Sequence, residues 1–325
     1  MIKRLFNALK IFGCRYLLFK ILLVVNPKNY NYYILLLLER DKAFNRMKID
    51  ALKNVLQYEY SHITGSYNDI EHPLTYNDKI QWLKLYDLSE LKTILSDKFL
   101  VRNWISDKIG EEYLTNLLGV WDSVDRVDFS CLPNQFCLKA NHGSGMCYVV
   151  KDKSKLKQSD LVKIRDIMNI WMRTPFYAQS IEFQYKNISR KIIAEEYIVQ
   201  MDGDLKDYKI HCFNGVPRII QVIGERNLSS HTGKEAFFDK EWNRIPLMYH
   251  TYEQYNKSPQ RPDNLFEMLK LAGILSSGFK YVRVDFYNID GAIKFGEMTF
   301  TPASGYGQWT DEIYNLKVGE MLSLE

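Results

Sequence analysis

The apolar positions of this chain repeat with two different periods. At three to four residues they predict helices over 77–87, where Ile80, Trp82 and Leu83 follow the Pro73 break, over 97–109, closed by Gly110, and over 156–171, ended before Pro175; 41–57 is helical with a mixed pattern. At two residues they predict strands over 136–140, 147–150, 191–199, 208–213, 217–223, 281–287 and 292–299. A helical first half followed by sheet-rich segments reads as an α+β or mixed α/β architecture. No internal repeat or low-complexity linker divides the sequence.

The last strand pair carries candidate chemistry. Asp285 stands in the alternating run Val282, Val284, Phe286; Asp290-Gly291 has the composition of a tight hairpin turn; Ile293, Phe295 and Glu297 continue the second strand. Counted from the turn, Asp285 and Glu297 fall near each other on neighbouring strands. Two carboxylates so placed suit a hard divalent cation such as Mg²⁺, and a solvated acidic face is the alternative. Over 207–213, Tyr208, Ile210 and Cys212 share one face and leave Asp207, Lys209 and His211 on the other. Upstream, FCLKANHGSG gives a strand, Lys139 at its end and a Gly143-Ser144-Gly145 turn, whose glycines let backbone N–H groups face an anion. A plain hairpin connection is the competing reading, because neither a P-loop nor a Rossmann glycine pattern occurs.

Charge changes the picture at the N-terminus. Six basic residues (Lys3, Arg4, Lys10, Arg15, Lys20, Lys28) and no acid precede Glu39, so the +4 of the whole chain belongs to this segment and the remainder carries 37 basic against 39 acidic side chains. That distribution excludes a general nucleic-acid-binding face. On a helix, Lys3, Arg4, Asn7, Lys10 and Arg15 lie opposite Leu5, Phe12, Tyr16 and Phe19, an amphipathic pattern suited to an anionic membrane surface or to packing on the main domain. Charged residues interrupt the apolar runs too often for a transmembrane helix, and Asn26-Pro27-Lys28 offers no small-residue cleavage site, so the segment is expected to be retained. Five cysteines without a C-x-x-C pair or zinc spacing fit a reduced, cytoplasmic compartment. With 325 residues, 46% hydrophobic and 25% charged, the composition is that of an ordinary globular enzyme.

In one order, PLTYNDKIQWLKLYD, SDKFLVRNWISDKIGEEYL, LPNQFCLKANHGSG, DYKIHCFNGVPRII and RVDFYNIDG followed by FGEMTFTPASGYG resemble the TupA-like ATP-grasp proteins of bacterial surface-polysaccharide clusters. The similarity spans roughly residues 70–310. It implies an α+β ATP-grasp fold, two α/β subdomains clasping ATP, over 61–325, preceded by a helical, basic segment over 1–60. It implies that Lys98 and Lys139 contact nucleotide phosphates, that Gly143, Ser144 and Gly145 close over them, and that Glu195, Glu196, Tyr197 and Ile198 form the hinge carrying adenine. Lys209 would reach the γ-phosphate with Asp207 orienting it, Arg283 would stabilise negative charge in the reaction, and Asp285, Glu297 and Thr299 would hold Mg²⁺. Thr299 departs from the wider superfamily, which has asparagine there. Thr301, Ser304 and residues 306–309 are candidates for touching the acceptor.

The implied reaction is ATP-dependent carboxylate–amine ligation through an acyl-phosphate, joining an amino acid to a sugar of a surface polysaccharide or its lipid-linked precursor. The implied setting is cytoplasmic, with peripheral contact at the inner face of the plasma membrane through residues 1–28. Two alternatives stand beside it. Asp202-Gly203-Asp204 has the D-x-D pattern of a metal-dependent glycosyltransferase, although D-G is also ordinary turn chemistry, and a non-catalytic nucleotide-binding scaffold would share the ATP site.

Overall fold

Both periods recur in the fold, with more elements than the sequence suggests. The structure is a computed structural model that describes residues 2–201, 203–227, 232–247 and 252–325, with 2–7 as backbone alone. In chain order the elements are α1 (Ile2–Val25), α2 (Tyr30–Phe44), α3 (Ile49–Thr64), α4 (Tyr76–Tyr86), α5 (Glu90–Ser96), α6 (Val101–Lys108), β1 (Leu117–Trp121), β2 (Phe136–Ala140), β3 (Cys147–Val150), α7 (Gln158–Arg173), β4 (Ile192–Glu196), β5 (Asp207–Phe213), β6 (Val216–Asn227), β7 (Thr232–Phe238), β8 (Arg244–Ile245), β9 (Glu253–Gln254), α8 (Leu265–Ser276), β10 (Tyr281–Ile289), β11 (Ala292–Thr299) and α9 (Glu312–Glu320). The helix expected over 41–57 is two helices, because the chain turns at Asn45, whose side chain bonds back to Asp41 at 3.0 Å. The helix expected over 97–109 begins only at Val101, after a turn capped by buried Asp97.

The chain forms two compact units, each discontinuous in sequence: residues 1–56, 88–93 and 117–197, and residues 57–87, 94–116 and 198–325. In the first unit, four antiparallel strands pair in the order β1-β4-β2-β3. Phe136, Leu138, Ala140, Ile192 and Ala194 turn one face onto Ile164, Met168 and Trp171 of α7. Each large apolar side chain buried there contributes about 1.5–3 kcal/mol. By alternation, Cys137, Lys139, Ile193 and Glu195 occupy the opposite face.

Helix α1 packs on α2 in the same unit. Ala8, Phe12 and Tyr16 are buried, and the Arg40 guanidinium lies 5.3 Å from the Phe12 ring and 5.0 Å from that of Phe44 while donating to the Ala178 and Gln179 carbonyls. Phe12 and Tyr16, expected on the apolar side of a surface helix, are therefore core residues. Leu18, Ile21, Val24 and Val25 are exposed instead. The side chains of Lys3, Arg4, Leu5 and Asn7 lie outside the described part. Among the described residues, no helix is long and apolar enough to cross a membrane.

In the second unit, seven strands form a sheet ordered β11-β10-β5-β6-β7-β8, with β9 parallel to β7. One face, with Ile210, Val222, Ala236, Val282, Val284 and Phe286, is covered by α8. The other face is split. Phe213, Ile219, Phe237 and Tyr281 lie under Tyr76, Ile80 and Leu83 of α4 and Val318 of α9, whereas Asp207, Lys209, Gln221, Arg283 and Asp285 extend the same strand faces beyond that helical cover. Helix α4 is fixed at its start by a capping box in which Thr75 accepts from the Asp78 N–H and Asp78 from the Thr75 N–H.

Candidate active site

The polar half of the seven-stranded sheet is built by register. Asp285 on β10 lies opposite Lys209 on β5 and Glu297 on β11, and Arg283 opposite His211 and Thr299. The turn that sets this register is Asp290-Gly291, both with positive φ (51° and 96°), as a two-residue type I′ hairpin requires. One residue breaks simple alternation. The ladder pairs Asp285 with Glu297 but Phe286 with Phe295, so Gly296 is an extra, bulged residue. In unbroken alternation Phe295 and Glu297, two residues apart, would share a face; the bulge instead turns Phe295 into the core and puts Glu297 on the polar side. A side chain at Gly296 would begin 3.1 Å from the Asp285 carbonyl oxygen, closer than ordinary contact.

The charged side chains then converge. Arg283 donates from Nε to Asp285 Oδ1 (2.6 Å) and from Nη2 to Asp285 Oδ2 (2.7 Å), Glu297 Oε1 (3.1 Å) and Thr299 Oγ1 (3.1 Å). Lys209 bonds the same Asp285 carboxylate and stands 3.3 Å from Asp207, which also pairs with Arg226; Lys98 Nζ lies 3.6 Å from Glu297. Burial alone would raise the Glu297 carboxyl, but the charges of Lys98, Lys209 and Arg283 and the Thr299 hydroxyl outweigh it and bring it to about 2. Burial and the Arg283 charge both lower His211, to about 3, so its ring is neutral. His211 Nδ1 lies 2.7 Å from the Tyr281 hydroxyl, which in turn accepts from Tyr76 at 2.8 Å. That chain ties the ionic half of the sheet to α4.

Oxygens of Asp285, Glu297 and Thr299 thus surround one cationic atom, Arg283 Nη2. This hard donor set fits Mg²⁺, which is commonly held by one or two carboxylates together with phosphate oxygens. Among the described residues no group of three or more acids, histidines or cysteines forms a denser metal site. Thr299 donates to Glu297 at 3.1 Å as well as accepting from Arg283, so its first role is to orient the acid.

The first unit carries Lys139, the glycine loop and Glu195 to Tyr197. Lys139 and Glu195, 56 residues apart, meet at 2.5 Å on the face of the sheet opposite α7. The sequence assigned them separately, to phosphate and adenine; the fold pairs them. Beyond β2, Asn141 is pinned by bonds with Ser189 and Lys191, and buried His142 lies 3.2 Å from the Trp171 carbonyl. Gly143 is packed on Phe176, while Ser144 and Gly145 are exposed. The loop therefore has a fixed base and an open tip. Strand β4 ends at Glu196, and the chain leaves the first unit after Tyr197, so Tyr197 and Ile198 lie beyond the ladder.

Some candidates serve the fold. Asp204 accepts from the Glu225 N–H at 2.6 Å and pairs with Lys206 at 3.0 Å, while Asp202 lies outside the described residues. Gln81 donates to the Ser304 and Gly305 carbonyls, both at 3.0 Å, and Trp309 packs on Tyr76, so this part of the expected acceptor segment is anchored to α4. Arg226, Gln221 and Glu235 were not singled out from the sequence. Gln221 interrupts the apolar run 219–223 and bonds to fully buried Glu235 at 2.9 Å, and that polar interruption was the available signal.

A helical first half joined to antiparallel sheets, with paired acids on one hairpin and a lysine before a glycine loop on another, has the make-up of an ATP-grasp protein. The chain belongs to the TupA-like ATP-grasp family, whose sequence profile matches residues 78–323. Among solved structures it is similar to D-alanine–D-alanine ligase from Bacillus anthracis (16% identity, 70% of this chain and 66% of that one, TM-score 0.40). It is also similar to L-amino acid ligase from Bacillus licheniformis (11% identity, 78% and 53%, TM-score 0.41) and to D-alanine–D-alanine ligase from Helicobacter pylori (17% identity, 76% and 69%, TM-score 0.38). The chain spans about two thirds of the length of the Bacillus anthracis ligase. A comparison with curated proteins gave no match.

Proposed function

We propose that the protein is an ATP-dependent carboxylate–amine ligase that joins an amino acid to a sugar of a bacterial surface polysaccharide or of its lipid-linked precursor. The observation that carries the reading is the gathering of Asp285, Glu297 and Thr299 oxygens around Arg283, with Lys209 and Lys98 at their sides. Family membership supplies the nucleotide. Bound by Asp285 and Glu297, Mg²⁺ would neutralise phosphate charge and polarise the γ-phosphoryl group.

The side chains divide the remaining work. Lys209 and Arg283, both held by Asp285, stand ready to exchange that carboxylate for phosphate oxygens as the substrate carboxylate attacks and ADP leaves. The amine then attacks the carbonyl carbon of the acyl-phosphate, the C–N bond forms as the bond to phosphate breaks, and an amide, phosphate and the amine proton result. Lys98 gives Glu297 a cationic partner and supplies a further contact for phosphate. Lys139 and Glu195 offer a cation for phosphate and an acceptor for the adenine amino group, Glu196, Tyr197 and Ile198 supply backbone groups for the adenine edge, and Gly143, Ser144 and Gly145 cover the phosphates.

An acceptor on a lipid carrier accords with the N-terminal segment. Leu18, Ile21 and Val25 recur at helical spacing on the exposed side of α1, in a segment with six cations and no acid before Glu39, a composition that attracts an anionic membrane surface. An ADP-release screen of amino acids against uronic-acid and amino-sugar nucleotides and lipid-linked acceptors tests the reaction. ADP is expected only when carboxylate and amine partners are both present; ATP binding without turnover across the panel would point to the scaffold instead.

A further inference from the structure

On the face of the four-stranded sheet opposite α7, next to Lys139, two thiols face each other: Cys137 Sγ lies 2.9 Å from Cys147 Sγ. Cys137 is buried and Cys147 exposed. They flank a turn of defined identity, since Cys137 is on β2, Cys147 opens β3, and the residues joining those strands include Gly143, Ser144 and Gly145. Cys147 is the ladder partner of Lys139, and Glu195 is the ladder partner of Cys137, so both thiols adjoin the Lys139–Glu195 pair.

We propose that Cys137 and Cys147 are a reversible oxidation site whose disulfide locks the glycine loop. The lock's effect on nucleotide rests on the ligase reading above; the chemistry of the thiols does not. A peroxide first meets exposed Cys147: the thiol sulfur takes one oxygen to become a sulfenic acid and the other oxygen leaves as water. The Cys137 sulfur then attacks the Cys147 sulfur, the S–S bond forms as the S–O bond breaks, and the departing hydroxide takes the Cys137 proton as a second water. Two thiols have given two electrons to one peroxide. The sulfurs need to approach by less than an ångström to reach the ~2.05 Å of a disulfide, and their fixed placement makes the second step intramolecular. Contact with Cys147 and burial raise the Cys137 thiol, so it enters the second step carrying its proton. A thiol reductant reverses the bond by exchange.

The closed ring would tie the start of β3 to β2 beside Lys139 and remove freedom from the loop 141–146, whose residues Gly143, Ser144 and Gly145 the reading above places over phosphate. The test uses the full chain carrying Cys14→Ser and Cys131→Ser, which removes the other two exposed thiols. After equimolar hydrogen peroxide, non-reducing peptide mapping is expected to find a Cys137–Cys147 bridge, amide exchange over 141–146 to slow at least fivefold, and ATP affinity to fall at least tenfold, all restored by dithiothreitol. With Cys147→Ser added, peroxide should change none of these, and ATP affinity should equal that of the reduced parent. Absence of the bridge, or a bridge that leaves loop exchange unchanged, overturns the proposal. Failure of the reduced chain to bind ATP counts against the ligase reading alone, because mapping and exchange still judge the thiol site.

Discussion

Arg283 holds Asp285 through two nitrogens and reaches Glu297 and Thr299 with one of them, so no member of this group can be removed without exposing the others. Breaking one buried partner out of such a set typically costs 3–5 kcal/mol. Asp285→Asn should therefore abolish ADP formation and also lower the melting temperature, and Lys139→Ala, which takes a cation from buried Glu195, should lower it too while weakening ATP binding by roughly 10–100-fold, the loss of one charge-assisted contact, as titration calorimetry would show. Glu297 makes a pH prediction. Its folded value, about 2, lies below the ordinary 4.5, so its contribution is present above about pH 4.5 and is lost as pH falls toward 2. Acid unfolding of Glu297→Gln should lack that part of the slope; an unchanged profile would refute the assignment. At this scale the sequence was most legible where chemistry and order coincide, as with Lys209, Asp285 and Glu297. It was silent on Arg226 and on the Lys139–Glu195 contact, because those depend on which strands become neighbours.

Among elements, the β10–β11 hairpin shows where alternation stops being enough. Asp290-Gly291 announces the turn through residue type alone, and the strand ends follow from it. The bulge at Gly296 does not, since an extra residue is defined only against the opposite strand. A glycine inside an apolar strand was the hint. Gly296→Ala is expected to fold, to reduce turnover at least tenfold by pressing on the Asp285 backbone, and to leave ATP affinity within about threefold; wild-type kinetics would show the bulge to be idle. Helix α1 teaches a related lesson. Periodicity reads one helix with two faces, but the backbone is non-helical at Gly13 (φ 83°, ψ 175°), so the positions before and after it do not keep one phase; Phe12 is buried against Phe44 of α2, and Tyr16 is buried beside Phe12. The exposed apolar residues lie farther along, so Leu18→Asp with Ile21→Asp should abolish flotation with anionic liposomes; equal recovery of variant and parent would remove membrane contact from the account.

At the level of the whole molecule, the family was readable because five motifs fall in one order over most of the chain, while the two discontinuous units were not, because they arise from contacts between segments far apart in sequence. Lys139, Glu195 and the glycine loop lie in the first unit, and Lys98, Lys209, Arg283 and the paired acids in the second. What unites them is a single chemical claim, that a substrate carboxylate is activated by the γ-phosphate of ATP. The most direct test labels that carboxylate with ¹⁸O, using the substrate pair that supports ADP release, and follows the label by mass spectrometry. One labelled oxygen in the phosphate released for each amide formed is the predicted result. Amide formed with unlabelled phosphate, or with AMP in place of ADP, would contradict it.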